Sequence, residues 1–78
     1  MDTYIFTVRA KVVAMSNPCK IGFSTETSQD GRALIIEDMK GANYFPSIIG
    51  VVLPELGKIY DFTIEVKYLM SVVSFVAV

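Results

Sequence analysis

Residues 59–68 show the clearest alternation of apolar and polar positions in the chain. The apolar side chains at every second position are Tyr60, Phe62, Ile64, Val66 and Tyr68. Successive side chains of a β-strand point to opposite faces, so this pattern predicts a strand with an aromatic core face and an ionic outer face. A helix would scatter the same residues around its circumference.

A second alternating stretch, residues 4–14, predicts a long first strand. Its polar positions include Arg9 and Lys11, so the predicted outer face is basic. Residues 16–18, Ser-Asn-Pro, predict a turn, because Ser and Asn bond to nearby backbone and Pro withholds a ladder donor.

Residues 19–27 predict a second strand that places Cys19 on the core face. Asp30 and Gly31 then predict a tight hairpin turn, since this pair tolerates the positive φ that such turns require. A third strand is predicted over residues 32–38, whose apolar centre is typical of a strand covered on both faces.

The remaining pattern predicts a connection over residues 39–45 with a short helical turn, and a fourth strand over 47–53. Residues 54–58 predict a turn into the alternating strand described first. Residues 71–78 predict a final strand that is apolar on both faces.

This order of strands predicts one all-β domain over residues 1–78. We expect a small antiparallel barrel of five to six strands, because closure removes exposed sheet edges in so short a chain. The long first strand, the irregular link and the two final strands are compatible with an OB-like barrel, and a small β-sandwich is the alternative.

Composition adds three expectations about the state of the protein. The chain has 78 residues, of which 53% are hydrophobic, which is more apolar surface than one small core can hide and favours self-association. A single cysteine and the absence of a signal peptide pattern favour a cytoplasmic location. The uncharged stretches are too short or too interrupted by Pro46 and Gly50 to be membrane segments.

The residue inventory argues against an enzyme. The chain contains no histidine, the commonest general base and metal ligand. Cys19 has no imidazole to activate it, and the five glycines are spread singly rather than gathered in a phosphate loop. We therefore predict a binding module with no cofactor, metal or small-molecule substrate.

One binding hypothesis is single-stranded nucleic acid, which small barrels bind by combining cations with aromatic stacking surfaces. The candidate contacts are Arg9, Lys11, Lys20, Arg32 and Tyr44. Tyr44-Phe45-Pro46 before an apolar strand, and residues 56–60 (Leu-Gly-Lys-Ile-Tyr) opening the next, resemble the single-stranded-DNA-binding proteins of filamentous phages. That resemblance implies a short OB-like dimer, although the family's lysine-rich character is missing here.

In an alternative account, carboxylates on a neighbouring strand neutralise the basic outer face of the first strand. If the first and fifth strands are neighbours, Arg9 and Lys11 can face Asp61 and Glu65 as ordinary ion pairs. The formal net charge of −1 also gives phosphate little long-range attraction.

The final strand contains no Lys, Glu or Pro that would discourage another strand from pairing with its edge. This absence favours association with another protein chain. The predicted interface residues are Val72, Val73, Phe75 and Val76. We expect a homodimer, or a small phage-type inhibitor or accessory subunit that docks on a host protein through this strand.

Overall fold

The fold consists of β-strands, as the alternation of apolar and polar residues predicted. The computed structural model describes residues 2–22 and 28–78, and this part of the chain is 64% strand and contains no helix. The strands are β1 (Tyr4–Met15), β2 (Cys19–Ile21), β3 (Gln29–Asp38), β4 (Asn43–Tyr44), β5 (Ser47–Ile49), β6 (Ile59–Val66) and β7 (Met70–Ala77). Among the described residues there is accordingly no helix that could cross a membrane.

Five strands close into a small OB-like barrel in the order β1-β6-β7-β5-β3 and back to β1. The predicted all-β barrel is thus confirmed, while β2 and β4 are extra strands paired with β3. The prediction of antiparallel pairing is wrong between β5 and β7, which run parallel through Ser47 and Ser71. Five strands in a ring cannot alternate direction all the way round, so one neighbouring pair must be parallel.

Side chains that alternate inward from four strands fill the barrel. The buried hydrophobic residues of the core are Ala10, Val12, Leu34, Ile36, Ile48, Tyr60, Phe62 and Ile64. Tyr60 and Phe62 both pack edge-on or tilted against Phe75 of β7, with ring centroids 5.3 and 6.2 Å away. The aromatic face predicted for β6 therefore lies in the core, except that Tyr68 follows the strand and is exposed.

The predicted hairpin turn at Asp30 and Gly31 is wrong, because both residues lie inside β3. Gly31 has no positive φ and is paired with Cys19 on one side and Ile49 on the other. The glycine is needed for a close approach of neighbouring backbone instead. A Cβ at this position would lie only 2.5 Å from the Ile48 carbonyl oxygen.

Three other predictions need correction. The second strand is described only as Cys19–Ile21, and predicted residues 23–27 lie outside the described part of the chain. Cys19 is exposed rather than buried, because β2 lies at the margin of the sheet outside the closed barrel. The predicted fourth strand ends early at Ile49, since Gly50 takes a φ of 130° that breaks the extended run.

Register irregularities bend the barrel wall at two places. The β1–β3 register shifts between Val12 and Ala14, and the β6–β7 register shifts so that Val73 is the extra residue on β7. A bulge of this kind re-aims the side chains beyond it. The prediction that the third strand is covered on both faces is wrong at Ala33, which is exposed on the outer face of β3.

Candidate nucleic-acid interface

An apolar groove lies on the outside of the barrel beside the paired strands β1 and β3. Its lining residues are Ala14, Met15, Ser16, Ala33, Leu34, Ile35 and Phe45. The β1 bulge sets Ala14 opposite Ile35 in this region. The groove has a volume of about 430 Å³ and is large enough to admit a flat ring system.

Phe45 is the exposed aromatic side chain at this groove. It follows β4 and precedes the buried Pro46, whose carbonyl oxygen accepts a hydrogen bond from the Leu34 N–H at 2.8 Å. That bond fixes the chain beside β3, yet the Phe45 side chain is 67% exposed. A fixed backbone with an exposed ring is what a stacking surface requires.

Tyr44, the aromatic residue predicted as a contact, faces the other way. Its ring is half-buried and lies 5.9 Å from the Phe6 ring, and its hydroxyl donates to the Asp38 carboxylate at 3.1 Å. The same carboxylate accepts the Lys40 and Ala42 N–H groups, both at 2.9 Å. Tyr44 is therefore committed to holding the turn after β3.

These hydrogen bonds shift the pKa values of both Asp38 and Tyr44. The Ala42 backbone hydrogen bond, followed by those from Lys40 and Tyr44, lowers the pKa of Asp38 although partial desolvation opposes it. The hydrogen bond to Asp38 in turn raises the pKa of the Tyr44 phenol. Neither group is poised for proton transfer near neutral pH.

Of the predicted cations, Arg32 reaches one end of the groove, whereas Lys11 lies on β1 outside its lining residues. Arg32 donates from Nη1 to the Ser16 carbonyl oxygen at 3.2 Å, which places its guanidinium at the Ser16 end. Lys11 is exposed on β1, two residues before the bulge, and its Cα partner on β3 is Glu37. Within residues 2–22 and 28–78 neither Lys11 nor Arg32 forms an ion pair.

The other two predicted cations are paired with carboxylates. Arg9 donates from Nε and Nη2 to the two Asp61 oxygens at 2.8 and 3.1 Å, as the alternative account predicted. The Lys11–Glu65 pairing of that account is wrong, because Lys11 lies opposite Ile59 and Glu65 opposite Ile5. This contact lowers the pKa of Asp61 and raises that of Arg9. Lys20 lies 2.8 Å from Asp30 across the β2–β3 pair. Of the four predicted cations, Lys11 and Arg32 are therefore the two without a carboxylate partner in the described part of the chain.

A second apolar surface, here called the seam, lies where β5 and β7 diverge. Its lining residues are Ile48, Ile49, Gly50, Val51, Val52, Val72, Val73, Ser74 and Phe75. Val51 is 97% exposed, and no lining residue carries a charge. The seam therefore presents hydrophobic surface and backbone groups without an electrostatic signal.

The structure divides the four predicted interface residues into two pairs. Val72 and Phe75 are half-buried and pack against the core cluster. Val73 and Val76 are exposed, on the bulge and on the outer face of β7. Only the second pair is free to meet another molecule.

The described side chains offer little to hold a metal ion. In residues 2–22 and 28–78, no three His, Cys, Asp or Glu side chains cluster as ligands. Cys19 has Ser16 Oγ 3.8 Å from its sulfur. Two surfaces therefore remain as candidates: the groove, which has the exposed Phe45 ring and the Arg32 guanidinium at one end, and the uncharged seam.

The fold is a small OB-like β-barrel, which is compatible with a binding module. Comparison with protein-family models, with curated proteins and with solved structures finds no match.

Proposed function

We propose that this protein binds single-stranded nucleic acid in the groove beside β1 and β3. The observation that carries the proposal is Phe45, 67% exposed at an apolar groove whose Ser16 end holds the Arg32 guanidinium. Barrels of the OB type use the outer face of such strands and the adjoining loops to bind oligonucleotides. Stacking on one aromatic side chain contributes about 1–3 kcal/mol per base.

In this proposal one base stacks on Phe45 while neighbouring phosphates contact Lys11 and Arg32. Lys11 begins, and the Arg32-bonded Ser16 ends, a segment that extends about 16 Å at the usual strand rise. Arg9 is held by Asp61 and lies on the β6 side of β1, so it contributes little. Lys20 is a peripheral contact that must leave Asp30 to reach phosphate.

Charge limits the affinity that the groove provides. The net charge is −1, and neutralising two phosphates on a single strand gives a log–log salt slope of about −1.4. We therefore expect modest affinity that is dominated by stacking and weakens gently with salt.

Fluorescence anisotropy with a labelled oligodeoxythymidine of about 12 nucleotides tests the proposal, since this length suits the site of one OB barrel. Phe45→Ala should weaken binding by about 5- to 150-fold, the equivalent of one stacked base. Lys11→Ala combined with Arg32→Ala should weaken binding and flatten the salt slope.

Matched controls separate the groove from general damage. Tyr44→Phe removes a hydroxyl that points to Asp38, and Arg9→Ala removes a guanidinium paired with Asp61, so both variants should bind nearly as the wild type does. Wild-type protein that fails to bind at low salt, or an Arg9→Ala loss as large as that of Phe45→Ala, would contradict the proposal.

A second candidate is a protein-interaction module that docks through the seam. The exposure of Val51 at 97% and Val52 at 71% beside the open half of β7 favours it. The partner would be an extended, uncharged protein segment, because the seam has no charge with which to select an ionic one.

A labelled peptide of alternating valine and threonine is the probe for this candidate. It should bind the wild type, and Val52→Lys with Val73→Lys should abolish binding by placing charge in the seam. Equal binding by the double variant would reject the seam as a docking site.

A further inference from the structure

Among the described residues, the edge of β7 that faces away from β6 is largely without a strand partner. β6 pairs with β7 along its length, whereas β5 pairs with it at Ser47 and Ser71 alone. No further pairing of β7 occurs within the part of the chain that the structure describes. The C-terminal half of β7 is therefore an open edge, which is a template for another strand.

Hydrogen-bond direction identifies the groups at this edge. The Val78 N–H donates to the Ile59 carbonyl oxygen at 3.4 Å and so points towards β6. Successive residues of an antiparallel strand direct their backbone groups to opposite sides. Phe75 and Ala77 consequently direct their N–H and C=O groups away from β6, to the open edge.

The absence of charge on this strand indicates which partner fits. No charged residue occurs from Met70 to Val78. When a strand pairs with its own copy around a two-fold axis, a charged residue near the axis meets a like charge, which is destabilising. By contrast β2, the strand at the end of the sheet path, carries Lys20 paired with Asp30.

We infer that the open edge is completed by β7 of a second copy of this chain, in antiparallel pairing around a two-fold axis at Val76. The inference names the partner for the seam surface of the second candidate function and is independent of nucleic-acid binding.

The register follows from geometry. A two-fold axis normal to the sheet keeps outward side chains on the same face in both copies, so the axis must pass through one residue. At Val76, Phe75 lies opposite Ala77 of the second copy, and two reciprocal pairs of N–H···O=C bonds satisfy the edge groups of both residues. An axis at Phe75 would instead set Ala77 against Val73, where the bulge disrupts the strand.

This register also uses the exposed valines. Val76 is 66% exposed, on the outer face opposite Asp61, and would pack against Val76 of the second copy. Val78 of the second copy would lie opposite Ser74, one of the residues that line the seam. The pairing therefore covers apolar surface at the axis and at both seams.

Disulfide trapping tests the register. In a Cys19→Ser background, Val76→Cys places two thiols in a non-hydrogen-bonded pair with Cα atoms about 4.5 Å apart, within disulfide range. Mild oxidation should give a covalent dimer on a non-reducing gel. Ser74→Cys is the matched control, because its two copies would be offset by about 14 Å and should remain uncrosslinked.

A mixture of the Ser74→Cys and Val78→Cys proteins should crosslink to each other, since these positions face one another only when the axis is at Val76. Crosslinking of Ser74→Cys to itself that equals that of Val76→Cys would overturn the inferred register and with it the proposal.

Sedimentation of the wild type gives the second readout. We expect a mass twice the chain mass of 8.6 kDa, and Val76→Asp should sediment at 8.6 kDa with unchanged far-ultraviolet dichroism. Val13→Asp, another exposed valine on the β1 bulge, should leave the dimer intact. A wild type that stays monomeric at high micromolar concentration would overturn the inference, and its oligonucleotide and peptide titrations would still report separately on the two proposed functions.

Discussion

Replacing Gly31 with alanine tests how closely β3 and its neighbours approach each other. The added Cβ would lie 2.5 Å from the Ile48 carbonyl oxygen, 3.0 Å from Ile21 Cγ1 and 3.2 Å from Ile49 Cγ1. The two isoleucine side chains can rotate away. The carbonyl oxygen belongs to β5, whose Ile48 is paired with Arg32, so it can retreat only if the β3–β5 pair loosens.

The expected magnitude follows from two opposing effects. Gly31 is not at positive φ, so alanine gains about 0.4–1 kcal/mol by restricting the unfolded chain. Overpacking in a fixed environment costs about 1–3 kcal/mol, and a contact of 2.5 Å to backbone belongs at the upper end. We expect a net loss of about 2 kcal/mol, or about 8–16 °C in Tm for a domain of this size.

Thermal and urea unfolding followed by circular dichroism measure this effect. Gly31→Val should lose more stability than Gly31→Ala because it adds two further carbons at the same place. Gly41→Asn is the control, since a Cβ there meets nothing within 4 Å and asparagine tolerates positive φ. A Gly31→Ala protein as stable as the wild type would refute the close approach of β5 to β3.

Three further perturbations test other parts of the structure. The pKa of Asp38 is lowered in the folded state, so its contribution to stability is present above its unfolded pKa of about 3.9 and is lost as pH falls through the folded pKa. Asp38→Asn should therefore reduce the pH dependence of urea stability below about pH 4, and an unchanged pH profile would contradict this. Phe62→Ala should lower the free energy of unfolding by about 3–5 kcal/mol, because Phe62 is fully buried in the barrel, and circular dichroism should then detect little folded protein. An unfolding transition near that of the wild type would show that the core packing is wrong. Arg9 and Asp61 should show a coupling in a double-mutant cycle that disappears in about 1 M salt, because both side chains are exposed; a coupling that persists would show that the pair is not screened by solvent.

Local alternation accounts for the part of the fold that could be predicted from the sequence. β1, β6 and β7 are long, and their period of two determines which side chains enter the core, so Phe62 and Ile64 were correctly placed there. The Arg9–Asp61 pair followed from the same reasoning as an alternative, because only neighbouring strands had to be assumed.

Features that depend on distant backbone could not be predicted. Asp30-Gly31 has the composition of a turn, yet both residues lie in β3. Glycine is needed there because the Ile48 carbonyl oxygen approaches closely, and sequence spacing does not reveal that approach. β4 has two residues, too few for alternation to show whether Tyr44 or Phe45 faces outward. The seam likewise arises from the parallel pairing of β5 with β7, strands separated by the whole of β6.

Closure of the barrel through one parallel pair, Ser47 with Ser71, has a consequence for motion. β5 is held on its other side by three pairs to β3, and residues 50–53 beyond it belong to no strand. Separating β5 from β7 therefore breaks few hydrogen bonds and leaves the four-strand sheet of β3, β1, β6 and β7 intact. Local unfolding of this kind has a much lower free energy than global unfolding. The barrel can therefore open locally between β5 and β7, and the amide protons of β5 should exchange with solvent long before those of β1 and β6.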